Sequence, residues 1–215
     1  MKSLIPWILC LPVLSLFGQK DVTAEQFLDN VSKELNPEHA LNIEFDYIRD
    51  DLKSESTLQG EGSLILMGEK YKIDLGDAVI YFDGTKQYSL QTEIEEVYIS
   101  VPDPDNTEFL FSDPIRLLRN YKEDFKYRNM GHGHFQGIPA TEIQLYPEEL
   151  GGPYALVKLF FSIEKQDLLS IVIRHKDGIL YTMIVTKMKR KEDPGIEFFR
   201  FNQQEYPNVD VIELI

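Results

Sequence analysis

Cysteine is nearly absent from this 215-residue sequence, in which Cys10 is the only thiol. Because Cys10 lies in the first apolar stretch, the chain beyond it has no disulfide, no cysteine for a lipid anchor and no cysteine nucleophile. The only tryptophan, Trp7, lies in the same stretch. The roughly 197 residues from Gln19 onward must therefore fold without covalent cross-links, and that length buries an adequate core in one domain.

The sequence also lacks a stretch long enough to cross a membrane. Lys2 gives a positive start, and apolar residues follow over 4–14. A span needs about 20 apolar residues, so this stretch is too short. Residues 15–18 then supply a small residue before Gln19, which predicts a signal peptide over 1–18 and a single domain over 19–215. The alternative is a buried N-terminal strand or helix. We expect an exported protein that stays free in the periplasm, as a monomer.

Positive charge is scarce as well. The chain has 22 basic and 36 acidic residues, a net charge of −14. Removal of residues 1–18 takes away Lys2 and no acid, which leaves 21 basic residues and a net charge of −15. Such a chain is repelled by nucleic acid and by anionic membrane surfaces, so we expect neither as a partner.

Motifs for nucleophilic or acid–base catalysis are missing too. No G-x-S-x-G sequence occurs, and Gly62-Ser63 lies within a predicted strand. Glu95-Glu96 and Glu148-Glu149 are adjacent pairs, so within a strand the two carboxylates point to opposite faces. Only carboxylates distant in sequence could converge. We therefore predict no catalytic residue and no cofactor, and we expect that the protein is not an enzyme.

The histidines give a weak metal signal. His132 and His134 would share one face if they lay on a strand, but no third histidine or cysteine is near, and the surrounding glycines favour a hairpin turn. His39 follows Pro37 and His175 lies at a hairpin end, so both are expected at the surface. We predict no metal site, while a metal bound by His132 and His134 stays the alternative.

One amphipathic helix is predicted near residue 23. Thr23 can cap it, with Gln26 three residues later, and Pro37 ends it. Its apolar residues recur at helical spacing: Ala24, Phe27, Leu28, Val31 and Leu35. A second, short helix is predicted to begin at Asp113-Pro114 and to include Leu117 and Leu118.

Strands account for most of the rest. Alternating or apolar runs separated by turn signals predict strands at 43–47, 58–67, 71–75, 78–82, 87–91, 95–101, 125–129, 138–145, 155–163, 168–176 and 179–187. Residues 197–201 and 209–214 are expected to be extended. The short spacing favours an antiparallel meander of about eleven strands. If this curved sheet does not close on itself, the helices must cover its concave face.

Several short motifs, taken in order, resemble the LolA family of periplasmic lipoprotein carriers. The family's "G-x-G-x-L" strand corresponds to Gly60-Glu61-Gly62-Ser63-Leu64, and an aromatic and basic hairpin follows at Lys70-Tyr71-Lys72-Ile73. The family's "D-G-K/T" turn corresponds to Asp83-Gly84-Thr85. The resemblance extends from the first helix to the last strand. In the family a basic residue followed by proline helps to hold the lid, and Met67-Gly68-Glu69-Lys70 occupies that place here.

The resemblance implies a mainly β fold with helices (α+β): an open, unclosed antiparallel β-barrel with a helical lid over an apolar cavity. Acyl chains would lie in this cavity, shielded from water. The residues expected to line it lie on the inward faces of the helices and early strands: Phe27, Val31, Phe45, Tyr47, Leu64, Leu66, Tyr71, Ile73, Leu117 and Leu118. In each strand the opposite parity is the alternative, since a shift of one residue exchanges the two faces.

The same resemblance implies a function and partners. The expected function is a carrier that takes lipoproteins from the inner to the outer membrane, with lipoprotein acyl chains as its ligand. Its partners would be an inner-membrane lipoprotein-releasing transporter and an outer-membrane lipoprotein acceptor. The alternative is a domain of the same fold that senses lipids or lipoproteins in envelope-stress regulation.

Overall fold

The computed structural model describes residues 21–35, 39–101, 116–119, 121–149 and 151–214. The predicted signal peptide and the Asp113-Pro114 helix start lie outside the described residues. The helices are α1 (Val22–Leu35), α2 (Arg116–Arg119) and α3 (Tyr121–Asp124), and a 3₁₀ helix spans Ile196–Phe199. The strands are β1 (Ala40–Asp51), β2 (Ser56–Met67), β3 (Lys70–Asp74), β4 (Ala78–Phe82), β5 (Gln87–Gln91), β6 (Glu96–Ser100), β7 (Phe125–Phe135), β8 (Ile138–Pro147), β9 (Tyr154–Ser162), β10 (Leu168–His175), β11 (Ile179–Lys191) and β12 (Asp210–Glu213).

All twelve strands form one sheet in the order β12-β6-β5-β4-β3-β2-β1-β11-β10-β9-β8-β7. Neighbouring strands are antiparallel, except that β12 runs parallel to β6. In the described part of the chain the end strands β12 and β7 do not pair with each other, so the sheet is open. The predicted mainly β, unclosed fold with few helices is confirmed. The twelfth strand is the segment that the sequence predicted only as an extended piece.

The β1–β11 pair joins the two halves of this sheet. Strands β2 to β6 form one meander and β7 to β10 form another, and each meander pairs with one strand of the central pair. The pairing runs from Ala40 opposite Lys191 to Asp51 opposite Ile179, with a bulge at Glu44/Phe45. A strand near the start of the chain is therefore held by a strand near its end.

Helix α1 begins two residues earlier than predicted because Asp21, and not Thr23, caps it. The Asp21 Oδ1 atom accepts hydrogen bonds from the backbone N–H groups of Thr23 (3.0 Å) and Ala24 (3.1 Å). Thr23 lies in the first turn and is exposed. The predicted apolar face is present, since Ala24, Leu28 and Val31 are at most 5% exposed.

Two other local predictions were wrong. Residues 196–199 form a 3₁₀ helix where an extended segment was expected. The 131–134 stretch lies inside strand β7 and not in a hairpin turn, because the turn falls at Gln136-Gly137. A bulge at Asn129/Gly131, where Gly131 has a φ of 88°, lets the strand continue through these glycines.

Apolar side chains cover both faces of the sheet near β4. On one face they belong to the large core beneath the helices, which we call the concave cluster. On the other face, Val79, Tyr81, Leu90 and Val97 form an outer cluster. Residues 196–214, which we call the C-terminal cover, lie over it through Phe201, Tyr206 and Val209. Burial on both faces explains why β4 is apolar throughout, without alternation.

Candidate functional site

The concave cluster begins with rows of side chains that run across neighbouring strands. Residues directly opposite each other in antiparallel strands share a face. Ile43 lies opposite Leu64, which lies opposite Ile73. Leu41, Leu66 and Tyr71 form the next row. These rows lie under the helices, and the side chains between them point to the outer face.

All ten residues predicted to line the cavity lie in or against this one cluster. Eight are buried members of it: Val31, Phe45, Leu64, Leu66, Tyr71, Ile73, Leu117 and Leu118. Phe27 and Tyr47 are partly buried and pack against it. Phe27 contacts Phe161 on β9 edge to face, with ring centroids 5.2 Å apart. The predicted parity therefore agrees with one continuous apolar face, although a role for these residues in ligand binding stays a prediction.

Two glycines of the "G-x-G-x-L" strand make room for aromatic rings on this face. Gly62 lies opposite Phe45, and Gly60 lies opposite Tyr47. A Cβ atom on Gly62 would lie 2.6 Å from the Phe45 Cζ atom, and one on Gly60 would lie 2.5 Å from the Tyr47 hydroxyl oxygen. Real Cβ atoms do not approach other atoms so closely. The lack of a side chain at Gly60 and Gly62 therefore leaves room for the Tyr47 and Phe45 rings of β1.

The concave cluster is closely packed in this structure. Several of its largest side chains have no accessible surface, among them Leu28, Leu64, Leu66, Leu118 and Phe161. A cleft of about 470 Å³ lies elsewhere and includes only Phe45 of the ten predicted residues. Its lining includes four carboxylates: Glu44, Asp46, Glu61 and Asp74. The acidic lining of this cleft does not suit an acyl chain.

A pair of side-chain ties fixes α1 to its neighbours. The Asp21 Oδ2 atom accepts a hydrogen bond from the backbone N–H of Asn129 in β7 (3.0 Å). Asp29 accepts hydrogen bonds from the Tyr121 hydroxyl (2.7 Å) and the Lys122 ammonium (3.0 Å) of α3. Lys122 also lies 3.3 Å from Glu25. Side-chain contacts therefore join α1 to β7 at one place and to α3 at another.

These ties shift the pKa of the groups that form them. The Asn129 N–H, and then the α1 cap bonds, lower the pKa of Asp21 although burial opposes this. The Lys122 and Tyr121 hydrogen bonds lower the pKa of Asp29. Burial and the hydrogen bond to Asp29 raise the pKa of Tyr121. All three shifts favour the protonation states that keep the helices tied at neutral pH.

At one end of the concave face the side chains change from apolar to polar and aromatic. Arg49 follows Tyr47 on the same face of β1 and lies opposite Tyr181 of β11, with its guanidinium carbon 6.0 Å from the ring centroid. The Tyr181 ring lies 5.5 Å from His175, and His175 lies 4.8 Å from Tyr154. We call Arg49, Tyr181, His175 and Tyr154 the rim row, since they cross four adjacent strands.

Sequence reasoning missed the rim row entirely. His175 was expected at the surface, and this was wrong: its side chain is only 16% exposed because two tyrosine rings enclose it. Its Nδ1 atom lies 3.6 Å from the Asp177 carboxylate. Arg49 has no carboxylate at ion-pair distance and no hydrogen-bond acceptor among the described residues; its guanidinium faces the Tyr181 ring, and Asp51 acts on it only at longer range.

The candidate metal ligands do not come together. Within the described residues, no group of three or more histidine, cysteine, aspartate or glutamate side chains could hold a metal ion. The His132 Nδ1 atom instead lies 3.1 Å from the Thr141 hydroxyl.

No described helix has the length and apolar character needed to span a membrane.

Together these features define a class of protein: an open antiparallel sheet whose apolar concave face is covered by short helices. The mainly β, open fold with few helices agrees with the architecture that the resemblance implied. No known family model matches the sequence, and no curated protein matches it either.

Solved structures share the fold. An uncharacterized conserved protein from Thermus thermophilus superposes with a TM-score of 0.57 at 12% identity, over 89% of this chain and 99% of that one. A DUF1329 family protein from Desulfovibrio piger gives a TM-score of 0.52 at 8% identity, over 85% and 98% of the two chains. The LolA superfamily protein NE2245 from Nitrosomonas europaea gives 0.46 at 12% identity, over 83% and 97%. At such low identity the first two likenesses concern the fold alone, and the third, which has the lowest TM-score, supports no conclusion.

Proposed function

We propose that this protein is an exported carrier that shields the acyl chains of lipoproteins between its helices and the concave face of its sheet. The observation that carries the proposal is that all ten predicted lining residues belong to, or pack against, one apolar cluster, which the helices and one face of the open sheet form together. Such a surface binds acyl chains by burial alone, at about 0.8 kcal/mol for each methylene removed from water. No catalytic group is needed for this function.

The same proposal assigns a route. The carrier receives lipoproteins from an inner-membrane releasing transporter, crosses the periplasm, and delivers them to an outer-membrane acceptor. Export is supported by the predicted signal peptide. The proposal requires the helices to move to admit an acyl chain, because several large side chains of the concave cluster, such as Phe161 and Leu28, have no accessible surface in the present arrangement.

Binding of a synthetic triacylated lipopeptide tests this function, with the unacylated peptide as control. The purified protein should bind the lipopeptide and release a fluorescent apolar probe, while the peptide alone should do neither. Phe27→Ala removes a partly buried ring that contacts Phe161, and it should weaken lipopeptide binding about five- to tenfold. Phe201→Ala removes a partly buried ring from the outer cluster and should leave binding unchanged. A folded protein that binds neither probe nor lipopeptide refutes the carrier.

Capture from envelope extracts distinguishes the carrier from the sensor of the same fold. A carrier should capture several acylated lipoproteins, and mass spectrometry should find their lipids on the purified protein. Capture of a single membrane-bound regulator, without acylated cargo, would instead assign the sensor function.

A further inference from the structure

We propose that the rim row binds the anionic headgroup of the amphiphile whose acyl chains occupy the concave cluster. This inference rests on the proposed function and adds to it the class of ligand group and the residue that selects it. The key residue is Arg49, with Tyr181 and His175 beside it.

The position of Arg49 supports this inference. The inward residues of β1 run Leu41, Ile43, Phe45, Tyr47 and Arg49, so four apolar or aromatic side chains lead directly to a guanidinium. An amphiphile has the same order of groups, with its tail followed by its polar head. An amphiphile whose acyl tail lies along this face in the same direction would place its polar head beside Arg49.

The donors of Arg49 are also available. A guanidinium carries five N–H donors in a planar fork that suits phosphate and carboxylate oxygens. Among the described residues no acceptor takes any of these hydrogen bonds, and the Tyr181 ring lies at 6.0 Å, near the outer limit for a cation–π contact. The aromatic contact therefore holds the side chain over the face without using its donors.

The rim row is held in place by the surrounding turns. The Leu52 N–H in the β1–β2 turn donates to the Gly178 carbonyl in the β10–β11 turn (3.1 Å). His175 and Tyr181 lie on either side of the β10–β11 turn, and Arg49 lies just before the β1–β2 turn. The two turns thus fix the strands that carry the rim row, and a headgroup would meet prearranged side chains.

The net negative charge of the chain does not conflict with this site. The overall charge opposes adsorption to a membrane surface, where many headgroups act together. A single headgroup delivered with its tails meets the local field of Arg49, and charges more than about 8–10 Å away are largely screened at physiological salt.

The test compares two lipids with the same tail. Myristoyl lysophosphatidylglycerol carries an anionic phosphodiester, and monomyristoylglycerol carries no charge; both are used below their micelle concentrations. We expect the protein to bind the lysophospholipid about tenfold more tightly, in keeping with a charge-assisted hydrogen bond. Arg49→Gln should abolish the preference without weakening monomyristoylglycerol binding, and Arg49→Lys should retain part of it.

Arg174→Gln is the matched control, because Arg174 lies next to His175 in β10 but on the opposite face, where it is exposed. This variant should keep the full preference. Thermal unfolding of each variant verifies that it is folded. Equal affinity of the native protein for the two lipids, or an undiminished preference in Arg49→Gln, overturns the inference while the carrier function stands. Failure to bind either lipid overturns both.

A third ligand, inorganic phosphate, distinguishes a site for a lipid headgroup from a site for free phosphate. Inorganic phosphate should compete only weakly, since it has no tail to occupy the concave cluster. If phosphate alone binds as tightly as the lysophospholipid and depends on Arg49, the rim row is a free-phosphate site and the headgroup inference is wrong.

Discussion

The helices and the C-terminal cover protect opposite faces of the same sheet, and they are attached by different kinds of bond. The C-terminal cover pairs through its backbone, since β12 adds to β6 from Asp210 to Glu213. Further hydrogen bonds join the Asp210 N–H to the Glu95 carbonyl (2.9 Å) and the Leu214 N–H to the Ile99 carbonyl (2.8 Å). The helices contact the concave cluster through apolar burial and a few side-chain ties.

Because of this difference, we expect the helices to move away from the sheet more easily than the C-terminal cover does. A strand pairing is lost only when several backbone hydrogen bonds break together, whereas apolar contacts are non-directional and tolerate sliding. The ties of α1 and α3 depend on three ionised side chains, Asp21, Asp29 and Lys122. The arrangement suits the proposed carrier function, in which the concave face would be exposed to a ligand while the outer face stays covered.

The largest expected effect comes from the C-terminal cover. Phe199 has no accessible surface, so Phe199→Ala should lower the free energy of unfolding by about 3–5 kcal/mol. Urea denaturation measures this change. Phe198→Ala is the control, since Phe198 is partly exposed and contacts the Lys72 ammonium at 5.0 Å, and it should cost about 1 kcal/mol. A cost below about 1 kcal/mol for Phe199→Ala would mean that the C-terminal cover is not part of the core.

An intermediate effect is expected at Asp21, which joins α1 to β7. Asp21→Ala removes the helix cap and the acceptor for the Asn129 N–H, and it should lower the free energy of unfolding by about 1–2 kcal/mol. Asp21→Asn keeps a good cap and should cost less. Amide exchange at Asn129 should become faster in Asp21→Ala. An unchanged exchange rate would show that Asp21 does not hold the β7 edge.

The same ties predict how stability depends on pH. The pKa of Asp21 and of Asp29 is lowered below the ordinary value of 3.8 in the folded state. Their stabilisation is therefore complete above about pH 4 and is lost as the pH falls through the lowered values. Urea titrations between about pH 2.5 and pH 7 should show less acid destabilisation in the Asp21→Asn, Asp29→Asn double variant. A native-like acid dependence in that variant would contradict the assignment.

The smallest effect is expected from the ion pair between α1 and α3. Asp29 and Lys122 are each 38% exposed, so water screens them strongly. A double-mutant cycle with Asp29→Asn and Lys122→Met should give a coupling energy of about 0.2–1 kcal/mol. The exposed pair Lys126–Glu148, at 3.2 Å, serves as the comparison and should give a smaller value. A coupling of zero at Asp29–Lys122 would mean that α1 and α3 are held together by the Tyr121 hydrogen bonds, the Lys122–Glu25 pair and apolar packing.

Much of the sheet could be predicted because its rows depend on alternation within single strands. Residues such as Ile43 and Phe45 alternate with polar neighbours, and the face that is apolar in one strand pairs with the apolar face of the next. The parity of the predicted lining residues agreed with the structure for this reason. The G-x-G-x-L motif also singled out Gly62, but only the structure shows that Gly62 leaves room for the Phe45 ring.

The features that escaped prediction depend on residues far apart in sequence. Thr23 was the predicted cap, whereas Asp21 caps the helix and also accepts a hydrogen bond from the Asn129 N–H, 108 residues away. His175 was expected at the surface because it ends a strand, yet rings from β9 and β11 enclose it. The 196–199 segment, which reads as extended, instead forms a 3₁₀ helix over β3.

The β1–β11 pairing has a consequence for the order of folding. Strand β1 can pair with β2 soon after both exist, but its other edge must wait for residues 179–191, nearly at the end of the chain. Contacts so distant in sequence slow folding. As the chain folds, the two meanders can form separately, and the sheet becomes continuous only when β11 joins β1. A chain that stops before β11 should therefore keep local hairpins yet fail to fold cooperatively.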